Sequence, residues 1–260
     1  MLSRNQRRAW EALDIGPAWM SRTPVAEDVP SAQGAVPESD APRCDPMARG
    51  DQTAGGEPTA RASTAGSDTR GRWTLITKAV EDCRDCSLAA SRQRTVPGAG
   101  STNARWLLVG EAPGAEEDKQ GQPFVGRAGE LLDAILFASG IDRESDVFIT
   151  NVLKCRPPGN RNPEPDEVAK CERHLLAQLE LLEPTLIVVL GRFAAQSLLR
   201  TEASIASLRG RVHEITSAGR AISAVVTYHP AYLLRNPADK ARAWADWCLA
   251  RQEMERIGVR

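Results

Sequence analysis

The feature that most constrains this 260-residue chain is a series of short, continuous apolar runs separated by longer stretches with helical spacing. The runs are too short for helices and do not alternate with polar residues, which is typical of parallel strands buried on both faces. They lie at residues 106–109, 147–150, 186–190 and 224–227, and the helical stretches lie at 128–139, 165–182, 192–199 and about 239–257. The alternation predicts a three-layer α/β/α sandwich around a central, mainly parallel four-stranded sheet.

Composition divides the chain into three parts. Residues 21–71 consist of Ala, Pro, Gly, Ser, Thr and charged residues with hardly any large apolar side chain, so they are predicted to form a disordered linker. Residues 1–20 are predicted to be a short amphipathic segment, either a weakly ordered terminus or a docking helix for a repair or replication partner. Residues 72–260 are predicted to form the folded domain.

Charge and targeting signals narrow the class of protein. The formal net charge of −1 argues against nucleic-acid binding through overall charge, which leaves a local basic groove as the alternative. Apolar runs are too short to span a bilayer and the first residues resemble no secretory signal, so we expect a cytoplasmic protein without a membrane partner. We also expect a monomer. Cytoplasmic thiols stay reduced, so the six cysteines indicate a metal site or core thiols before disulfides.

Three unusual motifs follow predicted strands, at the edge where the carboxyl ends of parallel strands lie. The first, GEAPGAEEDKQGQPFVGRAGELLD, combines a rigid turn with clustered carboxylates and a presented ring. A strand-to-helix turn would explain its glycines but not Glu111, Glu117, Asp118 and Phe124. Together these features suit a pocket for a planar polar base.

The other two motifs place polar groups at the same edge. Asn151 ends the second strand with an amide that can read a base edge, although asparagine is also a common turn former. His229 precedes Pro230, whose ring restricts the histidine backbone. The candidate DNA contacts are basic residues for phosphates, with a solvated surface as the alternative, and a leucine pair for wedging into the base stack: Arg156, Arg209, Arg211, Arg235, Leu233 and Leu234.

Four cysteines have the spacing of a metal site. Cys83 and Cys86 form a C-x₂-C pair, and Cys155 and Cys171 form a second pair further along the chain. Four thiolates bind either zinc or a [4Fe–4S] cluster, and the spacing leaves both open.

In combination, GEAPG, PFVGRAG, TNVLKCRPP and HPAYLLR, in that order and with the cysteines interleaved, resemble the motifs of family 4 uracil-DNA glycosylases, the iron–sulfur branch of the uracil-DNA glycosylase superfamily. The resemblance extends roughly from residue 73 to the C-terminus. It implies a monofunctional hydrolase for base excision repair, which cleaves the N-glycosidic bond of a flipped-out deoxyuridine in single- or double-stranded DNA and leaves an abasic site. It also implies a [4Fe–4S] cluster on the four cysteines. Because one pair precedes the first predicted strand and the other brackets the loop after the second, we expect the cluster to be structural.

The same resemblance implies roles for individual residues. Phe124 would stack on the flipped base, Asn151 would bind its polar edge, and His229 would donate to uracil O2 as negative charge develops there. A carboxylate would stabilise the positive sugar and position water. A better-known branch of the superfamily has an aspartate where this chain has Ala112, in the base pocket. Glu111 and Asp118 are therefore the candidate carboxylates, while Glu117 would crowd the methyl group of thymine.

Four other functions are alternatives to this interpretation of the motifs. A branch that traps its product covalently through a histidine is disfavoured, because no histidine lies between Asn151 and His174. A non-catalytic or polymerase-associated DNA-binding module on the same fold would have no need of Phe124, Asn151 and His229 together. A glycosylase for another deaminated base and an unrelated zinc protein are further alternatives.

Overall fold

The computed structural model describes residues 62–258, with side-chain surroundings from residue 69 onward, so the predicted N-terminal segment and the linker up to residue 61 lie outside the described residues. Helix α1 (Ala62–Asp82) begins inside the stretch predicted as linker. The helix is anchored by Trp73 and Val80, which are both buried, and helix can extend from such an anchor through residues without proline. The helix and the predicted linker therefore overlap at residues 62–71.

One sheet of six strands forms the centre of the fold, in the order β1-β3-β2-β4-β6-β5. The strands are β1 (Ala99–Gly100), β2 (Trp106–Gly110), β3 (Val147–Asn151), β4 (Leu186–Leu190), β5 (Val212–Ser217) and β6 (Arg220–Thr227). The four predicted strands are confirmed as the parallel centre of the sheet. The expected strand number is wrong, because β1 and β5 add antiparallel edges. Sequence pattern missed them because β1 has two residues and β5 is largely exposed.

Helices connect the strands and cover the sheet. Their bounds are α2 (Leu88–Ser91), α3 (Ala115–Gln120), α4 (Arg127–Ala138), α5 (Pro165–Leu182), α6 (Arg192–Leu199), α7 (Ile205–Leu208), α8 (Pro230–Arg235) and α9 (Lys240–Gly258), with 3₁₀ turns at Pro158–Asn160 and Pro237–Asp239. The four predicted helices are confirmed within one residue at each end. Helix α5 begins at Pro165 and carries a capping box between Glu164 and Glu167.

Two apolar cores lie on opposite faces of the sheet. Alternate residues of β2 point to opposite faces, so Leu108 packs with Leu132 and Trp247 while Leu107 packs with Leu179 on the other face. Burying a leucine completely stabilises the fold by about 1.5–3 kcal/mol, so both layers of helices are held strongly against the sheet. Among the described residues, no helix is long and apolar enough to cross a membrane.

Candidate functional site

A cleft of about 770 Å³ opens at the carboxyl edge of the parallel strands. It brings together the residues that follow different strands: Glu111 after β2, Asn151 at the end of β3 and His229 after β6. The other predicted pocket residues that line it are Ala112, Glu117 and Phe124. Parallel strand register, rather than sequence proximity, therefore assembles these groups in one place.

Asn151 is 2% exposed, and its Oδ1 has no hydrogen-bond partner among the described residues. Two backbone bonds fix the chain that follows it: Val152 N–H donates to Gly110 O at 2.9 Å and Leu153 N–H to Glu111 O at 3.0 Å. A buried, unpaired amide oxygen costs about 1–3 kcal/mol. This oxygen belongs to a residue that lines the cleft, where it can accept from an N–H group of a ligand.

Phe124 is held in an unusual backbone conformation beside His229. Its φ is 55°, in the left-handed region, and its ring lies 5.4 Å from the His229 ring at an interplanar angle of 29°. Arg143 Nη2 donates to Phe124 O at 3.2 Å, and Glu117 Oε1 accepts from the backbone N–H of Val125 at 3.0 Å. These bonds keep the aromatic face in a fixed position at the cleft.

His229 caps helix α8, and this fixes the position of its proton. The backbone N–H of Ala231 donates to His229 Nδ1 at 3.1 Å, so Nδ1 is the unprotonated nitrogen and a neutral imidazole carries its hydrogen on Nε2. Burial, together with the smaller effect of the Arg235 charge, lowers the pKa of His229 to about 4. At neutral pH, His229 is therefore an uncharged donor through Nε2.

The two candidate carboxylates have different surroundings. Glu111 is half-buried at the cleft, where burial raises the pKa of its carboxyl and the charge of Arg192 partly opposes that shift. Asp118 does not line the cleft. It is 2% exposed, and its Oδ1 accepts from the backbone N–H groups of Gln93 at 2.9 Å and Arg94 at 3.3 Å. The expected catalytic role of Asp118 is therefore corrected to that of a backbone anchor.

Two expected DNA contacts also belong to the interior. Arg209 Nε donates to Asp246 Oδ2 at 2.7 Å, and the guanidinium lies 4.3 Å from the centroid of the Tyr228 ring. Leu233 lies on α8, is 1% exposed and packs into the apolar core. Neither side chain can reach DNA without dismantling that packing, which corrects the phosphate and wedge roles predicted for them. Their burial depends on contacts distant in sequence, which no local pattern reveals.

The remaining candidates lie at or near the surface. Arg235 is exposed and lines the cleft, and Arg211 is exposed on the far side of Gly210 from Arg209. Arg156 Nε donates to Asn160 Oδ1 at 2.7 Å. Leu234 is half-buried against the core and so is not presented as a free wedge.

All four predicted metal-binding cysteines line one small cavity: Cys83, Cys86, Cys155 and Cys171. Arg92 Nη1 donates to Cys155 Sγ at 2.9 Å, and Lys154 N–H donates to Cys171 Sγ at 3.3 Å. Burial raises the pKa of Cys155, and it raises the pKa of Cys171 to about 11. A bound cation would favour the thiolate forms of both residues.

The donor set of this cavity fits a four-thiolate metal group. Within residues 62–258, no three His, Cys, Asp or Glu side chains already converge in metal-binding geometry. The fit therefore depends on the chemistry of the set, which is four thiols in one cavity with N–H donors directed at two of them.

Two basic residues, one at the cleft and one at the cysteine cavity, were not among the sequence candidates. Arg192 follows β4 at the same edge as the other cleft residues, and that position was the available signal. Lys154 is 1% exposed, and burial lowers its pKa to about 7 against the raising effect of Cys171. Nothing in the local sequence marks a lysine as buried.

Comparison with known proteins adds to this geometry. Residues 97–248 match the model of the uracil DNA glycosylase superfamily. The type-4 uracil-DNA glycosylase of Archaeoglobus fulgidus is 47% identical over 166 residues, which is 62% of this chain and 83% of the relative. Those of Thermotoga maritima and Pyrobaculum aerophilum are 45% identical over 169 residues (65% and 86%) and 42% identical over 163 residues (61% and 83%).

Proposed function

The chain belongs to the type-4 uracil-DNA glycosylases, a branch of the uracil-DNA glycosylase superfamily, and we propose that the cleft at the carboxyl edge of its sheet carries out the reaction. The protein is a uracil-DNA glycosylase, a hydrolase that acts on uracil-containing DNA. The observation that carries the placement is the buried, unpaired Oδ1 of Asn151 beside the paired rings of Phe124 and His229.

Recognition of uracil rests on the edge of the base. Uracil must leave the duplex for its glycosidic bond to become accessible, and it then stacks on Phe124. Its N3–H donates to Asn151 Oδ1, and its O4 accepts from the amide nitrogen of the same side chain. Cytosine has an acceptor at N3 and a donor at N4, the reverse of uracil, so it would leave the buried amide unpaired in this orientation. Glu117 lines the cleft, where its Oε1 accepts from the backbone N–H of Val125. Its side chain narrows the space for the methyl group of thymine.

Cleavage of the bond between C1′ and uracil N1 leaves the electron pair on the base. His229 donates its Nε2–H to the uracil O2, where the negative charge collects, and one preorganised donor is typically worth about 10²–10³ in rate. A neutral imidazole suits this role because it stabilises the anion without having to transfer a proton. The lowered pKa and the occupied Nδ1 both support that form of His229.

Glu111 acts on the sugar side of the bond. Its carboxylate stabilises the positive charge at C1′ and holds the water whose oxygen attacks that carbon; the proton released passes to the carboxylate or to solvent. Arg192 favours the ionised form, while burial makes the carboxylate a better base. Asp118 has no part in this step.

DNA is held at the rim of the cleft by its backbone. Arg192 and Arg235 line the cleft and are exposed, so they take the phosphate contacts first assigned to Arg209. Arg156 and Arg211 extend the same role on neighbouring surface. Each phosphate contact should change the slope of log affinity against log salt by about −0.7 to −0.9.

Cys83, Cys86, Cys155 and Cys171 would hold a [4Fe–4S] cluster, whose chemistry here is that of a structural crosslink. The four residues join the segment after α1 to the loop that follows β3 and to α5. Both the family and the four-thiol cavity support a cluster, and zinc is the alternative. Iron, acid-labile sulfide and zinc measured on the purified protein distinguish the two, since zinc without sulfide would contradict the cluster.

The activity is tested with a labelled oligonucleotide that contains one uracil, followed by alkaline cleavage of abasic sites. Matched oligonucleotides carry cytosine, thymine or hypoxanthine at the same position. We expect cleavage at uracil and none at cytosine or thymine. A folded, metal-loaded protein that leaves uracil intact would contradict the proposal, and cleavage at hypoxanthine instead would move the substrate to another deaminated base.

A further inference from the structure

Lys154 carries an amine in the interior, on the chain segment between β3 and the second pair of cysteines. It is 1% exposed. Its Nζ donates to Thr150 Oγ1 at 2.6 Å, to Asn151 O at 2.7 Å and to Gln178 Oε1 at 2.7 Å. Three acceptors match the three hydrogens of an ammonium group, so the site is built for a lysine and is fully satisfied by it.

The backbone of the same residue reaches the cysteine cavity. Lys154 N–H donates to Cys171 Sγ at 3.3 Å, its carbonyl accepts from Val96 N–H at 2.8 Å, and Cys155 is the next residue. Lys154 therefore contacts a proposed cluster ligand through its backbone and the carbonyl of Asn151 through its side chain.

The partners of Lys154 are tied to a third segment. Gln178 Nε2 donates to Pro97 O at 2.7 Å, and Thr150 Oγ1 donates to the same carbonyl at 3.0 Å. The network thus joins the end of β3, helix α5 and the strap before β1. Side-chain networks of this kind restrict the atoms they hold to one arrangement when every member is satisfied.

We propose that Lys154 is a positioning residue for uracil recognition, which fixes the main chain at Asn151. This inference rests on the proposed function of the cleft. Within residues 62–258 no group donates to Asn151 Oδ1, so the position of the buried amide follows from the main chain and from the packing around it. Lys154 holds that main chain at the Asn151 carbonyl, while Gly110 and Glu111 hold the two amides that follow.

The lysine is not part of the cleft lining, so its effect on the reaction must pass through Asn151. In Lys154→Met, a side chain of similar length removes all three donors. The carbonyl of Asn151 must then turn towards another donor, and the amide turns with it. We expect the inhibition constant for free uracil to rise by about tenfold, the value for one lost hydrogen bond of ordinary strength.

The test separates positioning from general loosening of the core. Lys154→Met is compared with Leu179→Ala, which removes buried volume from the same helix one residue after Gln178 and touches neither the network nor the cleft. Three quantities are measured for each: iron per chain, inhibition by free uracil, and affinity for an oligonucleotide with an abasic site. Gln178→Met, which removes one partner of the ammonium, is the second variant and should shift uracil inhibition in the same direction by a smaller factor.

The expected result is weaker inhibition by uracil in Lys154→Met and Gln178→Met, with iron content and abasic-site affinity as in the wild type. Leu179→Ala should lower the melting temperature and leave uracil inhibition unchanged. Unchanged uracil inhibition in both network variants would overturn the inference, as would an effect that disappears when lost iron is restored. If the wild-type protein itself excised no uracil, the proposed function would fail instead.

Discussion

Gly110 offers a sharp test of how the base pocket is built. It ends β2 opposite Asn151, and a methyl group added to its Cα would overlap Asn151 Oδ1 and come within 2.9 Å of Phe124 Cζ and 3.0 Å of Phe124 Cε2. Carbon atoms pack at about 3.5–4.0 Å, so Gly110→Ala must displace both the amide and the ring. The backbone of Gly110 does not require glycine, because its φ is not positive. The effect of the substitution is therefore steric.

The expected magnitude follows from the two groups displaced. Overpacking of this kind costs about 1–3 kcal/mol of folding stability. Losing one hydrogen bond to the base and part of an aromatic contact costs about 2–3 kcal/mol in the transition state, which slows excision by about 30- to 160-fold. Single-turnover excision at saturating enzyme measures the rate, and thermal unfolding measures the stability.

A matched control exists in the same motif. A methyl group at Gly126 would have its nearest neighbour at 3.7 Å, on Glu116, so Gly126→Ala should fit and should excise uracil at close to the wild-type rate. Gly110→Ala with an unchanged rate would refute the pocket described here. Equal losses in both variants would also refute it, because the loss would then follow from stiffening the motif rather than from filling the pocket.

Three further predictions follow from the surroundings of single residues. Glu111→Gln should slow single-turnover excision by at least about tenfold, whereas Asp118→Asn should lower the melting temperature with a smaller effect on rate; the reverse order would contradict the assignment. The pKa of His229 is lowered to about 4 in the folded protein, so between pH 6.5 and 4 the unfolded chain binds a proton at this residue and the folded chain does not. The contribution of the neutral histidine to the free energy of unfolding is complete above pH 6.5 and is lost as the pH falls towards 4. His229→Gln should therefore lose less stability than the wild type between pH 7.5 and 5 in denaturant titrations, and parallel losses would show that folding does not lower the pKa of His229. Cys155→Ala should lose iron and melt at a lower temperature; full iron and stability would remove Cys155 from the ligand set.

The sequence could predict the parts of this molecule that repeat a regular pattern. Continuous apolar runs identify β2, β3, β4 and β6, because a strand covered on both faces has no polar positions. Edge strands lack that pattern: β5 exposes Val212 and alternate residues, and only its pairing with β6 defines it. Likewise, the ends of the predicted strands are enough to place Glu111, Asn151 and His229 at one edge of the sheet.

What the sequence could not supply is the direction of individual side chains. Glu111 and Asp118 are both acidic and lie seven positions apart, yet Asp118 is bound to the backbone of Gln93 and Arg94 from a distant loop. Arg209 donates to Asp246 on α9, which lies 37 positions later in the sequence. Such pairs are decided by tertiary packing, so the candidate site was predicted more accurately at its strand ends than in its helices and loops.

The measurement that tests the central claim most directly is single-turnover excision of uracil by the wild type, Asn151→Ala and His229→Ala on one oligonucleotide, with unfolding curves for all three. The account predicts rapid excision by the wild type and losses of about 10²-fold or more in both variants, since each removes a group that contacts the base. Both variants should remain folded and bind abasic-site DNA as the wild type does. Wild-type rates in either variant would contradict the assignment of this cleft as the place where uracil is bound and released.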